Sequence, residues 1–482
     1  MSSFISKVES LYPHLPVWAQ NAAISAYGLS YRRERLGGSF ADFVTDFRRR
    51  DRWPRDAMDQ FIDEALRTTL LHAFDTVDYY QRRWNAAGIT RQDLEHMTRQ
   101  HLHRLPITRK LELRSDPNAF VSSGIPLKQL HRYNTSGSTG TPVTCVCTSD
   151  GHRMFIAARE ARSFGWAGSS IRKRRSMLGG RKIVRLGAVR GPFHRINWTE
   201  DQIYLSAHHI SPNNARLYAD ALNRFQPQVM TGYAQSHYLL ARMFLDQGLK
   251  IDFQPDALIL GSEKLTAEMK AVLKQVFHAR AYEEYGSIEN CVLATECSEG
   301  RLHISSDFGV VEVLDDNDRP VPAGSMGRIV CTGLLNRAQP LVRYELGDRI
   351  VLSREACACG RNHLPVIEEV LGRLEDVLVS PDGRVSACSH RLYHGLPNVL
   401  EAQLVQERLD RIRVRVVRAA GFQVQDEQAI RKRIQDHLGA VEVVVEATPE
   451  LKRTERGKFR SVISQLPRTE TIFKSVSTQP QA

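Results

Sequence analysis

No stretch of this 482-residue chain approaches the 18 or so consecutive apolar residues that a membrane-spanning helix needs, so a helical integral membrane protein is excluded. The opening segment MSSFISKVESLYPHLP lacks both a sustained apolar core and a small-residue cleavage site, which makes the cytoplasm the expected compartment. Zinc-finger, homeodomain and RNA-recognition signatures are missing, although the net charge is +12. The basic residues are spread along the chain, with one cluster at Arg172, Lys173, Arg174 and Arg175, a pattern better suited to small polyanions than to nucleic acid. Internal repeats and long low-complexity tracts are absent, which excludes a solenoid. No Ser-His-Asp or Cys-His arrangement is legible among the 17 histidines, so none is assigned to chemistry. Eight cysteines without an export signal read as buried thiols or metal ligands, not disulfides.

What is present is a chain too long for one core, with 42% hydrophobic and 25% charged residues, as in ordinary globular proteins of two or more domains. Residues 1–130 look mainly helical: Phe61, Ile62, Leu66, Leu70, Leu71, Phe74 and Val77 recur at helical spacing between Asp59 and Trp84, with a break at Gly88. From Tyr133 to about Leu371, short apolar runs such as 257–260 and 328–332 alternate with helix-like segments such as 235–245, which predicts a mixed α/β body. Beyond Gly372 the pattern becomes strands at 402–406, 411–417 and 441–447 with a helix near 428–437, a small α+β domain. The expected division is therefore a large domain over 1–372, a small one over 373–475 and a frayed tail at 476–482.

The strongest local signal is Tyr133-Asn134-Thr135-Ser136-Gly137-Ser138-Thr139-Gly140-Thr141-Pro142, in which two glycines among five serine and threonine side chains form a loop able to surround a polyphosphate with N–H and O–H groups. It is not a Walker loop: no Gly-Lys-Ser/Thr closes it, and residues 143–147 read as a strand. A solvated linker would have the same composition, so the order of residues carries the signal. That order resembles the phosphate loop of the adenylate-forming superfamily of acyl-CoA ligases, luciferases and peptide-synthetase adenylation domains. Four further segments resemble its motifs in the right order. Glu284-Tyr285-Gly286-Ser287-Ile288-Glu289 implies a frame for adenine and acyl carbonyl, with Glu289 holding Mg2+. Arg343-Tyr344-Glu345-Leu346-Gly347-Asp348 implies a ribose anchor in Asp348. Gly372-Arg373-Leu374-Glu375-Asp376 implies a hinge at Glu375 with Arg373 in the catalytic set, and Glu455-Arg456-Gly457-Lys458 implies the mobile catalytic lysine at Lys458.

Leu105-Pro106-Ile107-Thr108-Arg109-Lys110 and Pro340-Leu341-Val342-Arg343-Tyr344 resemble the phenylacetate-CoA ligase family. Leu15-Pro16, Tyr27-Gly28, residues 403–406 and Gly457-Lys458-Phe459-Arg460 resemble the branch associated with capsular polysaccharide loci. The resemblance implies a large multi-subdomain α/β domain followed by a small mobile α+β domain, ATP-driven formation of an acyl-AMP, and transfer to a thiol of coenzyme A. It also implies an acid pocket at Tyr233, Gly261, Ser262 and the residues just before Tyr285. Transfer to a carrier protein, an amine or a sugar hydroxyl is the alternative within enzymes, and a non-catalytic nucleotide- or partner-binding protein the alternative outside them. No nucleic-acid partner is implied, and a homodimer stays open. Val143 stands where many members carry a lysine, Ser287 where threonine is commoner, and Glu375 where aspartate is commoner.

Cys297, His303, Cys357 and Cys359 offer thiolates and an imidazole sufficient for tetrahedral zinc, a closed and hence structural site. Four unconnected residues would read the same way in sequence, and Cys-x-Cys is less specific than paired Cys-x-x-Cys knuckles. Cys291 and Cys388 are spare candidates for the ligand set, though ordinary buried thiols suit both better.

Overall fold

The computed structural model describes residues 11–134, 143–186, 188–373, 378–381, 385–386, 396, 398–454 and 459–466, with backbone alone at 127, 373, 385 and 386. The first part is helical as expected, with helices Val17–Leu36, Phe40–Arg50, Arg55–Thr76 and Asp78–Ala86. Met58, Ile62, Leu66, Leu70 and Ala73 recur every three or four residues and are all buried, forming one apolar stripe. The single helical pattern read between Asp59 and Trp84 is two helices. Val77 lies between them in extended conformation with its side chain buried, and Asp78 opens the second. The apolar pattern runs through the break because both helices bury residues in the same core.

Twelve strands form the main sheet. In chain order they are β3 (Arg175–Gly179), β4 (His194–Asn197), β5 (Gln202–Ser206), β6 (Val229–Tyr233), β7 (Ala257–Gly261), β8 (Ala281–Gly286), β9 (Leu293–Glu296), β10 (Leu302–Ile304), β11 (Gly309–Leu314), β12 (Met326–Gly333), β13 (Tyr344–Leu352) and β14 (Val366–Arg373). Before them comes the hairpin β1 (His131–Asn134) and β2 (Thr144–Cys147). The spatial order is β11-β12-β13-β14-β10-β9-β8-β7-β6-β3-β5-β4. Strands β5, β3, β6, β7 and β8 run parallel, and the rest pair antiparallel. The parallel block is buried, with Leu178, Met230, Leu258 and Leu260 in a core shared with the helices Ala215–Phe225, Ala234–Asp246 and Ala267–Phe277. Strand β4 ends the sheet, and the helix Val17–Leu36 covers its edge: Asn21 Oδ1 accepts the Ile196 N–H and Ser25 Oγ the Trp198 N–H, each at 3.0 Å. Free strand-edge donors are thereby removed from reach of another chain.

The basic cluster at 172–175 is largely spent inside the fold. Lys173 pairs with Asp256, Arg174 with Asp201 and buried Arg175 with Glu200, while Arg172 donates to the Leu36 carbonyl.

A second, small sheet follows in the order β19 (Glu442–Ala447), β18 (Arg411–Arg418), β17 (Val399–Arg408), β20 (Val462–Ser464). The short pair β15 (Leu378–Val379) and β16 (Val385–Ser386) precedes it. The helix Val424–Leu438 packs Ile430, Ile434 and Leu438 onto Leu404, Ile412, Val414 and Val443, a core separate from those of the large sheet. The molecule is thus a large N-terminal sheet domain with a small C-terminal sheet domain.

Candidate active site and a thiol cluster

Parallel strands place their carboxyl ends side by side, and ligands of open α/β sheets bind in the crevice beyond those ends. Here that edge carries Tyr233, Gly261 and Glu284 in one row across β6, β7 and β8. Three of the positions expected around the acid are therefore adjacent, with Ser262 next in the chain. Gly261 is required at its place, since a Cβ there would lie 2.5 Å from the Glu284 carbonyl oxygen. The Tyr233 carbonyl faces the His237 ring nitrogen at 2.8 Å. Glu284 is held by Arg159, whose Nη2 lies 2.8 Å from Oε1, and this partner raises the Arg159 pKa.

At the end of β8 the Tyr285 hydroxyl donates to Asp348 Oδ2 at 2.7 Å, joining two motifs that lie 63 residues apart. Burial, together with the Asp348 carboxylate, pushes the Tyr285 pKa far above its ordinary value, so the phenol keeps its proton and remains a donor. Gly347, at φ +93° within β13, supplies the left-handed backbone just before Asp348. Ser287 Oγ is buried with no hydrogen-bond partner among the described residues, an open polar valence beside the tyrosine.

Glu289 is buried and compensated from two sides. Lys110 Nζ lies 3.1 Å from its Oε1, and the Tyr344 hydroxyl donates to the same oxygen at 3.2 Å. Lys110 also donates to the Leu346 carbonyl at 3.4 Å. Sequence reading quoted Lys110 and Tyr344 within motifs but assigned neither a role, and passed over Arg159 and Glu263. No spacing could have linked Lys110 to Glu289 across 179 residues.

The expected phosphate loop Thr135 to Pro142 lies outside the described residues, as do Leu374 to Asp376 with the expected hinge Glu375, Glu455 to Lys458, and Cys388, while Arg373 is described in backbone only. The chain on either side of the phosphate loop is paired: Asn134 and Thr144 are hairpin partners, and Thr144 Oγ1 donates to Asn134 Oδ1 at 2.8 Å. Beside the hairpin, the Tyr133 hydroxyl meets His152 Nδ1 at 2.8 Å. Burial, reinforced by neighbouring arginines, lowers the His152 pKa to about 4, so this imidazole is neutral at pH 7. Val143, where a lysine is common in the resembled family, is fully buried.

The second cluster is built by the antiparallel half of the sheet. Cys297 directly follows β9, His303 lies on neighbouring β10, and Cys357 and Cys359 belong to the connection between β13 and β14, the latter pairing with β10. Their donor atoms all lie within 4.8 Å of one another, so the residues can hold a metal ion. Cys297 and Cys357 have sulfurs 3.7 Å apart; thiolates bound tetrahedrally at about 2.3 Å would be separated by about 3.8 Å. His303 directs Nε2 at Cys359 Sγ, 3.3 Å away, while Nδ1 faces the Leu364 carbonyl at 3.2 Å, the outer-shell bond that orients a ligating imidazole. Burial lowers the His303 pKa to about 4 and leaves the ring neutral, as a ligand must be. Cys291 is a buried thiol, as its sequence reading had it.

Comparison with known proteins is consistent with this geometry. Residues 378–465 match the CapK C-terminal domain family. The chain is 25% identical to Protein CapK of Staphylococcus aureus over 412 residues, 84% of this chain and 88% of that protein. It is 28% identical to phenylacetate-coenzyme A ligase of Thermus thermophilus over 336 residues, 68% and 72% of the two chains. Among solved structures, 2-hydroxyisobutyryl-CoA ligase in its postadenylation state superposes with TM-score 0.67 at 20% identity, covering 88% of this chain and 92% of that one. The same ligase in its thioesterification state, with equal coverage and 21% identity, gives 0.53. Among the described residues, no helix is long and apolar enough to cross a membrane.

Proposed function

We infer, for a chain that belongs to the adenylate-forming ligase superfamily, an enzyme that condenses a carboxylic acid with ATP to acyl-AMP and pyrophosphate and then passes the acyl group to the thiol of coenzyme A. One observation carries this reading: Tyr285, at the carboxyl end of the parallel strand β8, is bonded to Asp348 of β13, and the buried Glu289 follows it four residues on. A carboxylate is a poor electrophile because oxide is a poor leaving group, so attack on the α-phosphate replaces that leaving group with AMP. Asp348 would accept both ribose hydroxyls, its direction set by the Tyr285 hydroxyl. The segment 284–287 would frame adenine, Thr135 to Thr141 would grip the phosphates, and Tyr233, Gly261 and Ser262 would line the acid pocket. Lys458, with Arg373, would offset charge developing on the phosphates. A magnesium ion on Glu289 would add the same kind of stabilisation; one buried carboxylate completed by phosphate oxygens suits that metal. Lys110 keeps Glu289 neutralised whenever the ion is away.

The large unit, 1–372, and the small unit, 373–475, would turn about Glu375 between the two half-reactions. The three thiols and imidazole at 297, 303, 357 and 359 would bind zinc as a structural clasp. The match of residues 378–465 to the CapK domain favours a second reading of the acceptor, because the small unit would present it. In that reading the acyl group goes to a carrier protein, an amine or a sugar hydroxyl in polysaccharide synthesis.

The test is acid-dependent ATP–pyrophosphate exchange over a panel of aryl, fatty and hydroxy acids, with Lys458→Ala as control. Exchange that needs both the acid and Lys458 is expected, with loss of about a hundredfold in the variant. Exchange without thioester formation on added coenzyme A would select the second acceptor reading. Silence with every acid would remove the enzyme and leave a nucleotide-binding protein.

A further inference from the structure

Glu263 follows Gly261-Ser262, and bonds from its two carboxylate oxygens reach into different parts of the molecule. Its Oε2 accepts the Gln235 N–H at 3.0 Å, in the first turn of the helix Ala234–Asp246. Its Oε1 accepts the Phe459 N–H at 2.9 Å, across 196 residues, from the small unit. Both ends of this bridge are anchored. On the large unit, Ser262 adopts φ +66° where the chain leaves β7, and the carboxylate sits at a helix N-terminus, where negative charge is favoured. On the small unit, Phe459 is buried against Leu400, Val417 and Leu451. The Arg453 guanidinium lies 4.7 Å from the Phe459 ring centre and is bonded to buried Glu401. The helix Ala234–Asp246 also approaches β17, so the contact belongs to a larger meeting of the two units.

We propose that Glu263 is a positioning residue that holds the small unit in the arrangement serving adenylation. The proposal rests on the ligase reading above and adds a residue to it. Phe459 directly follows Lys458 in the chain, so a bond fixing the Phe459 amide constrains where the lysine begins. Phe459 moves with the small unit and Gln235 with the large one, so any rotation between them breaks the bridge. Glu263 therefore favours the first arrangement and contributes nothing to the second. The better superposition on the postadenylation state of 2-hydroxyisobutyryl-CoA ligase than on its thioesterification state agrees with this placement.

The decisive experiment separates the half-reactions in the full-length protein. With whichever panel acid gives the fastest exchange, Glu263→Ala lowers ATP–pyrophosphate exchange about tenfold to a hundredfold. Transfer from the chemically prepared acyl-adenylate of that acid to coenzyme A changes by less than about twofold. Glu263→Gln, which retains one acceptor oxygen, falls between the wild type and Glu263→Ala. Hydrogen exchange on the nucleotide-free protein supplies a readout independent of catalysis: the Phe459 amide loses protection in Glu263→Ala while the helix Arg55–Thr76 keeps its own. Equal losses in both half-reactions, or unchanged protection at Phe459, overturn the proposal. Should the wild type exchange with no acid, the ligase reading falls by itself and Phe459 protection alone decides the contact, its loss upholding the bridge and its persistence refuting it.

Discussion

Two groups of ligand-type side chains sit in the large domain, and they satisfy their chemistry in opposite ways. Around Glu289 the protein supplies its own cation, Lys110, and its own donor, Tyr344. Around Cys297, His303, Cys357 and Cys359 four donor atoms converge on one another, and the Arg361 side chain hydrogen-bonds Cys359. A buried carboxylate without compensation is costly, so an internal ammonium would let the proposed nucleotide site persist empty and still exchange its ligands. The thiols and imidazole at the second cluster would be stabilised together by a metal ion. Turnover at the proposed site would need the first arrangement, and a metal clasp between strands and loop the second.

The contrast breaks most decisively at the thiol cluster. Protein purified without chelator is expected to carry about one zinc per chain, and Cys297→Ser to lose it together with several kcal/mol of stability, lowering Tm by on the order of 10 °C. Metal well below stoichiometry with an unchanged Tm would reduce the cluster to packed thiols. Next in size, Asp348→Ala removes the acceptor of the Tyr285 hydroxyl, and pyrophosphate exchange should fall about a hundredfold while metal content stays the same. A parallel loss of zinc would mean that the two regions are not independent. Lys110→Ala sharpens the first half of the comparison: exposing Glu289 to an uncompensated burial should lower stability by about 1–3 kcal/mol, and millimolar magnesium with ATP should restore much of it. Chemical denaturation with and without magnesium-ATP measures this, and equal losses in both conditions would deny that cation and lysine share one carboxylate.

The smallest effect concerns Glu283, a carboxylate near Glu289 in sequence but without a lysine of its own. Lys270, the cation that acts on it most strongly, is bonded to Glu296 at 2.7 Å. Burial raises the Glu283 pKa to about 7. A carboxyl group whose pKa is higher in the folded chain favours folding when protonated, so its contribution is full below the ordinary carboxylate range. It is lost as pH rises toward 7. Glu283→Gln is therefore expected to stabilise the protein by on the order of 1–2 kcal/mol at pH 8 and by nothing near pH 4, as read from Tm against pH. A pH-independent difference would count against the shift.

Much of the fold was legible because its signals are local. Helical spacing from Phe61 to Phe74, the run at 257–260 and the alternation at 411–417 report burial on one face or two, whatever the rest of the chain does. The break at Val77 was missed for the same reason, since both helices feed one core and the apolar pattern crosses the junction unaltered. The four proposed metal ligands could be named from residue type, yet their convergence depends on β10 pairing with both β9 and β14, which no local pattern encodes.

Sequence by itself determined which chemical groups were available: the motif order from Thr135 to Lys458, the alternation of strands and helices, and the absence of a spanning segment. Tertiary structure alone decided which groups meet, placing Lys110 on Glu289, Tyr285 on Asp348 and Glu263 on the Phe459 amide. The physical reason is that hydrogen bonds and ion pairs act over about 3 Å of space, and separation along the chain places no limit on them.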